Sequence, residues 1–484
     1  MFLGIDIGTS GVKAVLMDES GAVADQASAP LQVSRPRPGW SEQAPADWCQ
    51  ATNIAVASLD ANLRRAVRAV GLSGQMHGAT ALDASDRPLR PAILWNDGRS
   101  AAECAALEAA VPPSRRITGN IAMPGFTAPK LLWLKKFEPD IFAAIRTVLL
   151  PKDYVRLTLT GEKATDLSDA AGTLWVDVAR RSWSDEMLSA TGLTQAHMPR
   201  LCEGPEVTGQ IRPEVATAWG LSCVPVVAGG GDNAAGAIGV GVVQPGEAFI
   251  SLGTSGVLFV ATETFVPNPE RAVHAFCHAL PKRWHLMTVM LSAASTLDWA
   301  ARLTGNKDAA TLLGHVEARA SLGGPEIFLP YLSGERTPHN DPHARGVFFG
   351  LSHDSDAAAL GQAALEGVAF AFADGLDALR EIGTHITQIS LIGGGARSSW
   401  WGRILAAALD RVLIVREGAE YGPAFGAARL AQLGVTNATV ETVCTAPPVR
   451  AVIEPDRHDV AALAPKRARF GRLYPDLRSH FRGD

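Results

Sequence analysis

The chemistry in this sequence gathers around a turn that occurs twice. Near the N-terminus the chain reads Gly4-Ile5-Asp6-Ile7-Gly8-Thr9-Ser10-Gly11-Val12-Lys13, and later Phe249-Ile250-Ser251-Leu252-Gly253-Thr254-Ser255-Gly256-Val257. Each copy is an apolar run, a Gly-Thr-Ser-Gly turn and a second apolar run, the pattern of a β-hairpin. Glycine lets the backbone approach a ligand, and the Thr and Ser hydroxyls and turn N–H groups suit phosphate oxygens. One such turn is a common object. Two of them, opening two similar halves, predict a duplicated domain with phosphate held between the halves. Two further stretches stand where α/β proteins meet ligands, at strand C-termini. Gly74-Gln75-Met76-His77-Gly78 follows a β run over 67–72, and Gly229-Gly230-Gly231-Asp232-Asn233 follows an apolar β-branched run over 224–228.

The elements that must hold these positions follow in the same order in both halves. A chain of 484 residues predicts more than one domain. The first half opens with the hairpin over 2–16 and another strand over 22–31. Prolines make 35–43 irregular. A helix is expected over 45–63, with Pro45 in its first turn. Trp95 ends a strand, and Asn96-Asp97-Gly98-Arg99 turns into an Ala-rich helix that Ser100 is placed to cap. Helices are expected over 129–137 and after Pro151-Lys152-Asp153-Tyr154, with a turn-rich segment over 165–172 between them and the next strand. The small residues after Asp232 predict a helix packed very close to another. In the second half the hairpin over 249–260 precedes helices over 293–303 and 357–379. A strand over 389–392 then opens into Gly393-Gly394-Gly395-Ala396-Arg397. Tyr421-Gly422-Pro423-Ala424-Phe425-Gly426-Ala427-Ala428 echoes the stretch from Asp232. The basic segment 466–482 is expected as a solvated final helix. The join falls near 242–246, giving domains 1–243 and 244–484.

Composition excludes several classes of protein. The hydrophobic fraction is 47% and the charged fraction 19%, as in large soluble proteins with sizeable cores. A formal net charge of -5 and the absence of a Lys/Arg block exclude a nucleic-acid stripe. The six cysteines form no CxxC pair, so neither a zinc site nor a disulfide framework is expected, and reduced thiols in a cytoplasmic protein are. The chain opens directly on a strand without a signal-peptide pattern. Its least polar stretch, 224–243, is broken by Asp232 and Asn233, which argues against a membrane span.

Taken together and in order, these pieces resemble the FGGY carbohydrate kinases. The matching motifs are Gly4 through Lys13, Gly39-Trp40-Ser41-Glu42-Gln43, Gly74 through Gly78, Trp95 through Arg99, Leu150 through Tyr154, Gly229 through Gly236, Ser251 through Gly256, Tyr331-Leu332-Ser333-Gly334-Glu335-Arg336-Thr337-Pro338, and Gly393 through Arg397. They run nearly the length of the chain, and their number and order carry the resemblance. It implies an α/β fold of two duplicated, actin-like, ribonuclease-H-like ATPase domains around a central cleft. It implies ATP, Mg²⁺, and phosphoryl transfer to the terminal hydroxyl of D-xylulose, with another ketose or polyol of the ribulose type as the alternative. By the same resemblance Asp232 is the general base, Met76 and His77 contact the sugar, and Asp6 is the phosphate-loop carboxylate that holds Mg²⁺. Homodimers are common in the family, and no interface is legible here.

The chemistry suits those residue types. A sugar hydroxyl is a poor nucleophile, and a positioned carboxylate that takes its proton contributes about two to four powers of ten. Asn233 is placed to hold neighbouring hydroxyls. Thr9, Ser10, Lys13, Gly253 and Thr254 would grip the phosphates from both sides, and Gly394, Gly395 and Ala396 leave room for adenine and ribose. Plainer readings stand beside these. Asp232 is also what a helix N-cap looks like, Asp6 a turn cap, and His77 a satisfied loop histidine. Trp95 and Asp97 either shape the pocket or only pack and cap, and Lys152 with Asp153 reads equally as a buried ion pair. A non-catalytic nucleotide switch would share the two turns but not the Met76, His77, Asp232 and Asn233 set. A sugar-sensing regulator would need a DNA-reading element.

Overall fold

The computed structural model describes residues 1–417 and 422–482. Its frame is two large mixed sheets with matching connectivity. The first contains β1 (Phe2–Ile7), β2 (Gly11–Met17), β3 (Val23–Pro30), β4 (Ala69–Gly74), β5 (Val207–Gln210), β6 (Pro225–Val227) and β7 (Gly230–Gly231). The second contains β8 (Glu247–Leu252), β9 (Gly256–Thr262), β10 (His274–Cys277), β11 (Trp284–Met290), β12 (Gln388–Ile392), β13 (Leu413–Arg416) and β14 (Val449–Ile453). The first runs β5-β6-β4-β1-β2-β3, with β7 also pairing β4. The second runs β10-β11-β9-β8-β12-β13-β14. Set side by side, β3-β2-β1-β4-β6-β5 and β11-β9-β8-β12-β13-β14 share one succession of antiparallel, antiparallel, parallel, parallel and antiparallel pairs. The duplication legible in the twin turns is therefore real. The central strands are buried almost throughout, as in Phe2–Ile7, because helices cover both faces of a parallel region.

The helices that matter for the site are α1 (Pro45–Ala57), α2 (Thr127–Phe137), α3 (Pro151–Thr160), α4 (Leu167–Ala171), α5 (Asp232–Val240), α6 (Ala294–Leu303), α7 (Ala357–Arg380), α8 (Ser399–Leu409), α9 (Gly422–Val435) and α10 (Arg457–Arg482). The close packing expected after Asp232 is met by α9. A Cβ at Gly426 would lie 1.8 Å from the Ala235 carbonyl oxygen, so the two helices touch at their backbones. The same α9 lies on the first sheet. A Cβ at Gly4 would meet the Ala424 carbonyl at 1.8 Å, and one at Gly71 the Ala427 carbonyl at 1.9 Å. In turn, Ala237 and Val240 of α5 share a core with Phe249 and Phe259 of the second sheet. A cut near 243 separates the sheets but not the helices that clasp them.

Some local expectations change. The helix over 45–63 stops at Ala57, and a second, Ala61–Arg65, begins where the Asp60 carboxylate accepts from the N–H groups of Asn62 and Leu63. Ser100 does not cap its helix; its hydroxyl donates to the Pro124 carbonyl at 3.2 Å. The segment 165–172 is not only turn, since Asp166 caps α4 there. The C-terminal helix α10 is not wholly solvated. Leu463, Phe470 and Tyr474 are buried at helical spacing, and Lys466 pairs with Glu366 beneath it. Tyr421, the first residue of the predicted echo of Asp232, lies outside the described residues. Among the described residues no helix is long and apolar enough to cross a membrane.

Candidate active site

Three parallel strand ends build the first side of the cleft. Asp6 pairs with Ser73 across β1 and β4, and Ser73 with Gly230 across β4 and β7. The loops that follow thus leave one sheet edge together, carrying Gly8-Thr9-Ser10, Gln75-Met76-His77 and Asp232-Asn233. Met76 is buried against the last of these, since a Cβ at Gly231 would stand 3.1 Å from its Cγ and Sδ. The structure therefore brings Asp6, Met76, His77, Asp232 and Asn233 to one place.

Asp232 begins α5, with Gly231 as its cap residue, so its carboxylate stands at the helix's positive end. Its Oδ1 accepts from the Asn233 N–H at 2.6 Å and from the Asn233 amide Nδ2 at 2.9 Å. That leaves Oδ2 without a hydrogen-bond partner among the described residues. Asn233, expected to hold sugar hydroxyls, spends one amide N–H on orienting the carboxylate. Burial raises the Asp232 pKa to about 6, against the Asn233 bonds that lower it. Asp6 is raised further, to about 7, by burial and then by the negative charge of Asp232, while the charge of Lys13 on the paired strand pulls it down. Asp6 Oδ1 is buried without a partner among the described residues. An orphaned carboxylate oxygen under a second carboxylate's charge suits a hard divalent cation such as Mg²⁺.

His77 sits at φ 69°, a conformation uncommon for a residue with a side chain. Its carbonyl is gripped by the Thr127 hydroxyl at 3.1 Å and by the buried Lys130 Nζ at 2.8 Å, both on α2. Its Nδ1 lies 2.7 Å from the Gly172 carbonyl, which can only accept. The proton is therefore on Nδ1. Burial, then the Lys130 charge, push the ring's pKa down to about 3, so it is neutral and Nε2 offers a lone pair. That is the state needed to accept from a sugar hydroxyl.

The first turn is braced rather than bare. Thr9 donates its hydroxyl to Gln75 Oε1 at 3.0 Å and accepts from Trp95 Nε1 at 2.9 Å. Gln43 Nε2 holds the Thr9 carbonyl at 2.8 Å. The Thr9 hydroxyl, expected to donate to phosphate, is thus engaged on the Gln75 and Trp95 side. Trp95, half exposed at 48%, bonds the first turn, whereas Asp97 is buried and binds Ser41 N–H and Arg99, the packing role. Ser10 is exposed at the turn's tip. Lys152 and Asp153 are the buried ion pair of the plainer reading, at 2.7 Å.

The second turn is different. Thr254 is exposed, and its hydroxyl has no hydrogen bond among the described residues. Its carbonyl and that of Gly253 accept from Ala293 N–H at 3.0 Å and Ala294 N–H at 2.8 Å, where α6 begins. Gly393, at φ 90°, packs on the Leu252 backbone, and a Cβ at Gly395 would meet the Leu252 side chain at 2.9 Å. Glycines there weld the Gly393-Gly394-Gly395 loop to the turn. Two cavities flank this loop. One of about 680 Å³ runs from Asp232 and Asn233 to Gly394, Ala396 and Arg397. The other, of about 480 Å³, is lined by Leu297, Leu313, Gly394, Gly395 and Trp401 among others. Lys130, Thr127 and Gly172 support the site and were not singled out from sequence. A lysine in a short amphipathic helix carries no mark that it will be buried.

The chain is similar to known proteins along its whole length. Residues 1–239 match the FGGY family of carbohydrate kinases, N-terminal domain, and residues 248–434 its C-terminal domain. A protein named xylulose kinase from Escherichia coli is 56% identical over 480 residues, covering 99% of each chain. One of the same name from Klebsiella pneumoniae is 54% identical, again over 99% of each chain. The crystal structure of a "xyloylose kinase" from Brucella ovis superposes with a TM-score of 0.95 at 52% identity, covering 99% of both chains.

Proposed function

The chain belongs to the FGGY family of carbohydrate kinases, and we propose that it transfers the γ-phosphoryl group of ATP to the terminal hydroxyl of D-xylulose, giving D-xylulose 5-phosphate and ADP. The choice of sugar is supported by full-length relatives of 54–56% identity named xylulose kinase. The observation that supports the mechanism is Asp232, which lines the cavity reaching the Gly393 loop, follows a Gly231 packed against Met76, and has an Oδ2 without a hydrogen-bond partner among the described residues.

The sugar lies against Met76, with His77 Nε2 accepting one of its hydroxyls. Asp232 Oδ2 takes the proton of the attacking hydroxyl, and Asn233 keeps that carboxylate turned toward it. The nucleoside lies in the smaller, more apolar cavity beside Gly394 and Gly395, and its phosphates cross toward the turn at Gly253 and Thr254. Asp6 is the residue placed to hold Mg²⁺, which when bound neutralises phosphate charge. Lys13 adds positive charge from the facing strand. In-line positioning and exclusion of water supply most of the remaining acceleration, since phosphoryl transfer asks little covalent work of the protein. The six cysteines are all free, which suits the reducing cytoplasm.

The test is ADP release with Mg-ATP against D-xylulose, L-xylulose, D-ribulose, L-ribulose, glycerol and D-xylose. The expected result is strong stimulation by D-xylulose above the rest. A larger response to another sugar keeps the mechanism and moves the substrate, and no response to any of them refutes the reading.

A further inference from the structure

Behind the base lies a buried charged cluster that the transfer mechanism does not use. Lys152 Nζ, on α3, meets Asp153 Oδ1 at 2.7 Å, Asp166 Oδ1 at 2.8 Å and Asp169 Oδ2 at 3.1 Å, all fully buried. Three carboxylates around one ammonium are one charge too many beside Arg156, and Asp169 is accordingly driven well toward its protonated form by burial. Such a cluster is costly to bury, so the bonds it makes outward matter. Arg156 Nη1 holds the Val227 carbonyl at 2.7 Å, and its Nη2 holds that of Ala228. Asp166 Oδ2 accepts from the Ser168 N–H at 2.8 Å and from the Ser168 hydroxyl. The Ser168 Oγ in turn accepts the Gly231 N–H at 3.0 Å. The peptide that delivers Asp232 is thus pinned along its length from one buried layer.

The other end of α4 touches the sugar side. Gly172, the residue closing α4, accepts from His77 Nδ1. A Cβ at Gly172 would lie 2.5 Å from His77 Cε1 and 2.8 Å from Met76 Cε. One short helix therefore contacts the base loop at its start and the sugar-binding histidine at its end.

We propose that α4 is the spacer that sets Asp232 and His77 relative to each other, with Ser168 and Gly172 as positioning residues and Lys152 with Asp166 as the anchor that keeps the spacer rigid. The proposal rests on the reading of Asp232 as base. The two ends predict different kinetic signatures. Ser168→Ala frees the Gly231 N–H, lets the base drift and lowers kcat about 10- to 100-fold, the size expected of a misplacement near 1 Å. KM for ATP and the ATP dissociation constant stay within about threefold, because the smaller cavity that takes the nucleoside is untouched. Gly172→Ala, at an ordinary backbone φ of -72°, pushes on His77 and Met76 and raises KM for the sugar about tenfold with a smaller change in kcat.

The decisive experiment is a double-mutant cycle of Ser168→Ala with Asp232→Asn, read as kcat under saturating Mg-ATP and sugar. If Ser168 acts through the base, its substitution has no further effect once Asp232→Asn has removed the base. Equal effects of Ser168→Ala in both backgrounds, or kcat of Ser168→Ala within twofold of the parent, overturn the proposal. Should Asp232→Asn itself keep parental turnover, the base reading fails instead, and the two failures are told apart by that single variant. Should Ser168→Ala not fold, as judged by near-ultraviolet circular dichroism, Gly172→Ala carries the test, since it leaves the charged cluster intact. Unchanged sugar KM there overturns the spacer.

Discussion

The two halves share a frame and differ in charge. At the strand position where the first sheet has Asp6, two residues before its Gly-Thr-Ser-Gly turn, the second has Ser251. Where the first crossing helix opens on Asp232, α9 begins at Gly422. Arginines stand at the second sheet's edge, Arg416 closing β13 and Arg397 in the Gly393 loop, and both line the central cavity. The turns differ too. Ile7 pairs with Val12, leaving four residues between them, while Leu252 pairs with Gly256, leaving three. The longer first turn is tied to Gln75, Trp95 and Gln43; the shorter second one leaves its Thr254 hydroxyl open. One half carries carboxylates that can hold a proton or a metal ion, and the other has Ser251 and Gly422 at the corresponding places among the described residues. A duplicated scaffold thus separates the acceptor side from the anion side by a few side chains.

The largest effect follows from removing the acidic pole. Asp232→Ala should lower kcat by about 10²–10⁴ with ATP affinity unchanged by calorimetric titration; normal turnover would refute the base. In the intact protein kcat should fall about tenfold per pH unit below pH 6, where Asp232 takes up its proton, and a flat profile from pH 5 to 8 would count against it. The comparison breaks most directly with Ser251→Asp, which puts a carboxylate where the second half has none. It should raise KM for ATP about tenfold or more while sugar binding, measured without nucleotide, holds. Equal loss of both would mean the halves are not electrically distinct.

Asp6→Asn sharpens the same contrast through stability. The folded pKa of Asp6 is raised from 3.8 to about 7. Stability linked to it is whole below pH 4 and lost as pH rises through 7, because the ionised form is buried at a cost. The substitution should therefore raise the melting temperature of the protein without nucleotide or metal at pH 8 and not at pH 4. The upper bound is about 4 kcal/mol, and less is expected because Asp6 keeps some contact with solvent. The same variant should need more Mg²⁺ for half-maximal activity. The smallest expected effects separate the turns. Thr254→Val should raise KM for ATP about threefold, the loss of one modest hydrogen bond. Thr9→Val should act on sugar KM instead, through Gln75 and Trp95. Identical kinetic effects at the two positions would erase the distinction.

The doubled frame was legible because turn chemistry repeats in the sequence: Gly8-Thr9-Ser10-Gly11 and Gly253-Thr254-Ser255-Gly256 are local objects. So were Asp232 and the Met76-His77 loop, each attached to a strand end. What escaped has no period. That Lys130 grips the His77 carbonyl, or that Ser168 holds Gly231, depends on tertiary contacts between segments tens of residues apart. Thr9 shows the same limit from the other side: its type suggested a phosphate donor, while its neighbours, distant in sequence, give the hydroxyl other work. The helix over 45–63 was overextended because its break is set by the Asp60 cap, a competing local bond within an otherwise helical pattern.

The seat of α9 on the first sheet has a bearing on how the protein is made. Gly4 and Gly71 are flat so that residues more than 350 positions later can lie on them. As the chain leaves the ribosome, β1 and β4 are synthesised early and stay without their cover until Gly422–Val435 has emerged. The N-terminal half is therefore an unfinished product on its own, with an apolar face that the late segment helps to close. The two halves should melt in one calorimetric transition rather than two. Expressing residues 1–243 alone should yield an aggregating fragment, and adding the remainder as a separate chain should restore it. A stop codon just before α9 costs the first sheet as much as the second.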